Sequence, residues 1–252
     1  MTLLRSAVFN LWFFGVTFVL GSWGVVLRLA APHRALALAQ RWAGLVLAGA
    51  RTICGIRVVV LGREHLPTAG AALIASQHQS AFDTLIWLNL VPRVSYVFKT
   101  ELARIPLFGP LLGASGQIPV DRAAGLTAVR SFLREADRAV ADERQIVIFP
   151  EGTRVAPGER VELHPGVAAL ATRTRLPVIP VATDSGLRWR RRAFVKYPGP
   201  IHIVICPPIP PGLRGDALLA EIQARWQDAR LRLHEHEDKD DPVTARSAGE
   251  SR

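Results

Sequence analysis

Cysteine is scarce: Cys54 and Cys206 are the only two in 252 residues and stand far apart. That excludes a disulfide framework and a cysteine-built zinc site, and it fits a reducing compartment. Acidic residues are the minority, 21 Asp and Glu against 31 Lys and Arg, for a formal net charge of +10. Such a surface attracts polyanions, which include nucleic acid, anionic lipid headgroups and phosphorylated small molecules, and charge alone does not choose among them. No internal repeat is present, so a solenoid is excluded. Ionisable side chains are wholly missing from Ser6 to Leu27, a run long enough for an apolar helix to cross a bilayer.

That run predicts membrane attachment. Arg28, Arg34, Arg41 and Arg51 follow it, against Arg5 alone before it, so the cation bias places the following domain on the cytoplasmic side, at the inner membrane. Trp12, Trp23 and Trp42 are expected at the membrane interface. A cleavable leader is the rival, since Ala37-Leu38-Ala39 has the form of a cleavage site, but the apolar run is too long and its basic flank too thin. Asn10, Gly15 and Gly21 weaken a simple span, and a hairpin with the helix-like stretch from Ala35 to Ala50 is equally open.

After residue 52, short β-rich runs (Ile56 to Leu61, Ala71 to Ala75, Val94 to Phe98, Gln145 to Phe149, Val178 to Ala182, Ile201 to Ile205) alternate with helical patterns (Ala81 to Leu90, Gly125 to Ala141, Gly166 to Thr174, Asp216 to Leu233). This predicts an α/β fold, a central mixed sheet flanked by helices with an N-terminal membrane-binding helical segment, and places the chemistry at strand ends. The expected division is an anchor over 1–52, a catalytic domain over 53–233 and a disordered polar tail over 234–252, too poor in apolar residues to offset its ordering entropy.

His78 follows an apolar strand and stands five residues before Asp83 in Ser76-Gln77-His78-Gln79-Ser80-Ala81-Phe82-Asp83. An imidazole there can take a proton from a hydroxyl while a carboxylate one turn into the helix holds its other nitrogen. Ser80 to Asp83 also fits a capping box, and the two readings are compatible. The spacing is weak by itself, because His236 and Asp241 repeat it. Phe149-Pro150-Glu151-Gly152-Thr153-Arg154 leaves a buried strand and turns at Gly152; Arg154 suits a phosphate and Glu151 a hydroxylated substrate, although a surface Glu-Arg pair would look the same. Gly116 to Arg122 ends in Asp121-Arg122, either a second phosphate ligand or a helix cap beside a solvated arginine. Lys99 closes a strand and is a further candidate cation. Ile105, Leu107, Phe108, Leu111 and Leu112 either line an acyl groove or pack in the core.

Together these segments resemble the glycerophospholipid acyltransferase family, whose members share an HxxxxD block, a Gly-to-Arg block, an EGTR block and a Pro-containing apolar strand. They stand here in that order as His78 to Asp83, Gly116 to Arg122, Phe149 to Arg154 and Leu176 to Val181, covering roughly residues 55 to 185. The resemblance implies that His78 is the general base and Asp83 its orienting partner, and that Glu151, Gly152 and Thr153 help position the acceptor. Arg122, Arg154 and Lys99 would then meet its phosphate.

The implied reaction moves an acyl group from acyl-CoA or acyl-carrier protein, as co-substrate, to the sn-2 hydroxyl of 1-acyl-glycerol-3-phosphate, giving phosphatidic acid. No metal and no resident cofactor is implied, and membrane lipids are the expected partners. Gln77 stands where the family often has Asn, Pro119 where it has an aromatic, and Thr100 where a lysine is common. Another lysolipid, such as lyso-ornithine lipid, would suit the same blocks. A non-catalytic lipid- or nucleic-acid-binding protein is the rival of a different class; Arg188-Trp189-Arg190-Arg191-Arg192 is its best support, and no nucleic-acid fold signature accompanies it.

Overall fold

The computed structural model describes residues 1–105, 109, 112, 115–120 and 125–240. Its centre is a seven-stranded sheet in the order β1-β7-β6-β2-β5-β3-β4, built from β1 (Ile56–Leu61), β2 (Ala72–Ser76), β3 (Val94–Lys99), β4 (Ile118–Val120), β5 (Gln145–Ile148), β6 (Val178–Thr183) and β7 (Gly199–Ile205). All pairings are parallel except β6 with β7. The sheet is therefore mixed, and helices cover both faces.

Period-two alternation divides each inner strand between two cores. On one face Ile74, Val147, Val181 and Ile203 pack against α1 (Thr2–Ala30), α2 (Ala35–Cys54) and α3 (Phe82–Leu90). On the other, Leu73, Ala75, Ile146 and Val204 meet α4 (Gly125–Ala141), α5 (Gly166–Thr174) and α7 (Gly215–Asp240); a short α6 spans Ser185–Arg188. The last helix runs to Asp240, past the Leu233 boundary expected from composition. A polar stretch without Gly or Pro can extend an existing helix without nucleating a new one, whereas composition argued only from burial. Residues 241–252 lie outside the described residues.

α1 is long and apolar enough to cross a membrane by length and composition. Leu4, Leu11, Phe14, Phe18, Val19 and Leu29 face outward, each more than 60% exposed. Its other side is tied down. Phe9 is fully buried and meets Trp189 edge-on at 5.2 Å, and Ser6 Oγ accepts the Lys196 N–H at 2.9 Å. Asn10, which weakens a span when read in sequence, donates to the Phe194 carbonyl and accepts from Lys196 Nζ. Gly21 and Gly24 are buried.

Two of the three tryptophans expected at the interface also tie the helix hairpin together. Trp12 Nε1 donates to the Leu45 carbonyl at 3.1 Å and Trp42 Nε1 to Thr17 Oγ1 at 3.0 Å. Their indole N–H groups need acceptors wherever they are packed, and the neighbouring helix supplies them. Trp23 is 56% exposed.

Candidate active site

β2 and β5 are parallel neighbours with Ala75 opposite Ile148. Three residues further on, the two segments place His78 beside Glu151, and the His78 N–H donates to Glu151 Oε2 at 2.5 Å. The Val155 N–H returns to the His78 carbonyl at 2.8 Å. Two segments seventy residues apart thus form one edge, at the carboxyl ends of parallel strands where the neighbouring connections diverge.

His78 Nδ1 lies 3.3 Å from Asp83 Oδ2. That oxygen also accepts the N–H of Gln79 at 2.7 Å and of Ser80 at 2.8 Å, while Ser80 Oγ accepts the Phe82 N–H. The capping box and the His-Asp pair are therefore one device: the contacts that start α3 also fix the carboxylate that faces the imidazole. Phe149 stacks under the His78 ring with centroids 4.3 Å apart. The side chains of His78 and Asp83 are 13% and 3% exposed, and among the described residues His78 Nε2 has no partner. The pair can hold a hydroxyl at Nε2, accept its proton and stabilise the resulting imidazolium.

Glu151 is buried, and desolvation, aided by the nearby Asp83 charge and opposed by the His78 N–H, raises its carboxyl from 4.5 to about 8. It is thus largely neutral at pH 7 and can donate as well as accept a hydrogen bond. Gly152 turns the chain at φ +65°, a conformation suited to glycine, with its N–H bonded to the Phe149 carbonyl. Thr153 is exposed. Arg154 is half-buried; desolvation lowers its basicity, Asp83 opposes that, and Arg191 and Arg192 add to it. Arg191 Nη1 donates to the Arg154 carbonyl at 3.1 Å, so the basic loop lies against the EGTR turn and forms with it a cationic wall suited to a phosphate.

Lys99 ends β3 exposed, and among the described residues it makes no hydrogen bond or ion pair with His78, Glu151 or Arg154. Arg122 and Asp121 lie outside the described residues, as do Leu107, Phe108 and Leu111. Leu112 is buried and Ile105 is 43% exposed.

Sequence reading missed a clamp. Gln79 Nε2 donates to the Thr183 carbonyl at 2.7 Å and its Oε1 accepts the Gly186 N–H at 3.0 Å. Gln77 Oε1 accepts the Thr183 N–H, and the Gln77 N–H continues the β2–β6 ladder onto the Val181 carbonyl. The two amides flanking His78 thus bolt its loop to the end of β6. Behind them, buried His202 Nδ1 meets Asp184 Oδ2 at 2.6 Å. The glutamines' partners lie more than a hundred residues along the chain, so no local pattern announces them.

The family model for acyltransferases matches residues 57–184. The chain is 31% identical to the 1-acyl-sn-glycerol-3-phosphate acyltransferase of Pseudomonas aeruginosa, over 88% of this chain and 87% of that protein. It is 29% identical to the mouse 1-acyl-sn-glycerol-3-phosphate acyltransferase alpha, over 66% of this chain and 59% of that one. Its fold is similar to the crystal structure of the 1-acyl-sn-glycerophosphate acyltransferase of Thermotoga maritima, with a TM-score of 0.74 at 22% identity, covering 93% of this chain and 98% of that one.

Proposed function

Because the chain belongs to the acyltransferase family, we propose that it acylates the sn-2 hydroxyl of 1-acyl-glycerol-3-phosphate to phosphatidic acid, with a thioester of coenzyme A or acyl-carrier protein as donor. The observation that carries the reading is the convergence of the His78–Asp83 pair with Glu151 and Arg154 on one sheet edge. His78 Nε2 takes the hydroxyl proton, and the oxygen attacks the thioester carbon. The C–S bond breaks as the tetrahedral intermediate collapses, and the departing thiolate recovers the proton from His78. No acyl-enzyme, metal or resident cofactor enters this sequence.

Glu151 holds the His78 backbone through one oxygen. As a neutral carboxyl it offers the acceptor a hydrogen bond without repelling its phosphate. Arg154, supported by Arg191, takes the phosphate. Membrane association through the outward apolar face of α1 brings the site to a substrate that resides in the bilayer. We place the enzyme at the inner membrane with its catalytic domain on the cytoplasmic side. Residues 6–10 of α1 are fastened to Lys196 and Phe194 of the body, which favours a helix that lies against the bilayer at that end.

The test is acyl transfer by the detergent-solubilised full chain to 1-acyl-glycerol-3-phosphate, beside lyso-ornithine lipid and lysophosphatidylcholine. Preferential formation of phosphatidic acid supports the assignment. Preference for lyso-ornithine lipid, unaffected by Arg154→Ala, would move the activity to that acceptor.

A further inference from the structure

A cavity on the face of the sheet away from α1 reaches the edge of the site at Gln77 and Glu151. Its volume is about 280 Å³, near the lower end of the roughly 300–1,000 Å³ usual for small-ligand sites. Gln77 and Glu151, both buried, form its inner end, whereas Arg160, Gln223, Ala224 and Gln227, all exposed, form its rim. Arg230 stands beside them, and its guanidinium packs on the loop at Gly158. Trp226 forms part of the wall; it is 4% exposed and its Nε1 has no hydrogen-bond partner. That nitrogen is shielded from the cleft, so the indole contributes an apolar wall to it rather than a donor.

The placement matters as much as the lining. The residues of α7 belong to the core on the far face of the sheet, and α1 packs on the near one with its apolar outer surface exposed. His78 sits at the edge between them. A lipid acceptor delivered along α1 and a water-soluble co-substrate entering beside α7 would meet there without crossing each other's path. The channel must then suit a slender, amide-bearing chain with an anionic outer end, because glutamine side chains share its walls with Val161, Leu163 and Trp226 and its rim carries two arginines against Glu159.

We propose that this cleft seats the pantetheine arm that coenzyme A and acyl-carrier protein share, with the thioester end toward Glu151 and the phosphate end toward Arg160 and Arg230. The inference rests on the acyl-transfer reading above and adds the route by which the donor enters. It makes the donor subsite common to both carriers, since the arm is the part they have in common.

The experiment uses the full chain in detergent with whichever lysolipid the wild type acylates, so that a wrong acceptor does not affect the result. Ala224→Trp fills the rim from an exposed position, and Arg230→Glu reverses its charge. Both should raise the KM for palmitoyl-CoA about tenfold or more, leave the acceptor KM unchanged, and weaken equilibrium binding of coenzyme A itself. Both should leave unchanged the transfer from the N-acetylcysteamine thioester of palmitate, which lacks the pantoate and phosphate portions. Unchanged donor KM and unchanged coenzyme A binding in the folded variants overturn the proposal, and so does an equal loss with the truncated thioester. If the wild type acylates no lysolipid, the acyl-transfer reading fails, while coenzyme A binding and its dependence on Ala224 and Arg230 still decide whether the cleft is an arm site.

Discussion

Replacing Glu151 by glutamine should remove a large part of the protein's pH sensitivity. The carboxyl is raised to about 8 in the folded chain from 4.5 when free, chiefly by desolvation. Between those values the native state keeps a proton that the unfolded state has released. The associated stability is fully present below pH 4.5 and is lost as pH rises through 8. At 1.36 kcal/mol per pH unit the interval gives at most about 5 kcal/mol. Relaxation of the site brings the expected loss to about 2–4 kcal/mol, or roughly 5–15 °C in Tm for a chain of this size. Glutamine keeps an oxygen for the His78 N–H and never ionises. Thermal unfolding in detergent at pH 5.0, 6.5 and 8.5 should therefore show Glu151→Gln matching the wild type at the acid end and exceeding it by that margin at the alkaline end. Parallel curves at all three pH values would refute the claim that a buried, neutral carboxyl sits beside His78.

Asp83→Asn retains an oxygen for the Gln79 and Ser80 N–H groups but loses the charge facing His78. kcat should fall by about 10²–10⁴ with little change in Tm, and near-normal turnover would remove Asp83 from the mechanism. Gln79→Ala strips partners from the Thr183 carbonyl and the Gly186 N–H; at about 1–3 kcal/mol for each orphaned group it should lower Tm by several degrees and depress kcat more than acceptor KM. A Cβ on Gly49 would come within 2.4 Å of the Trp12 ring, so Gly49→Val should part α1 from α2 at about 1–3 kcal/mol, read as reduced recovery in the membrane fraction. Arg154→Ala should raise the KM for 1-acyl-glycerol-3-phosphate by about tenfold or more while sparing a phosphate-free lysolipid.

Much of this architecture is legible in the chain because β2, β5 and β6 are apolar on both faces and end in turn residues, which is how buried parallel strands read. The same runs deliver His78 and Glu151 to one edge, so the two motifs could be placed at strand ends before their contact was known. Their contact depends on the Ala75–Ile148 register, and register across a βαβ crossover leaves no local mark. Gln77 and Gln79 look like ordinary polar loop residues until Thr183 and Gly186 arrive from β6 and α6. Asn10 reads as a flaw in an apolar helix because its partners, Phe194 and Lys196, lie at the other end of the chain. Helix α7 outran its expected end because low hydrophobicity limits burial and does not by itself stop a helix that is already propagating.

The central claim is that His78 is the base that activates the acceptor hydroxyl. The most direct measurement is acyl transfer by His78→Ala, purified in detergent alongside the wild type, with thermal unfolding recorded on the same samples. Loss of turnover by about 10³-fold or more at an unchanged Tm is the predicted result. Turnover within a few fold of the wild type, in a protein equally well folded, would contradict it.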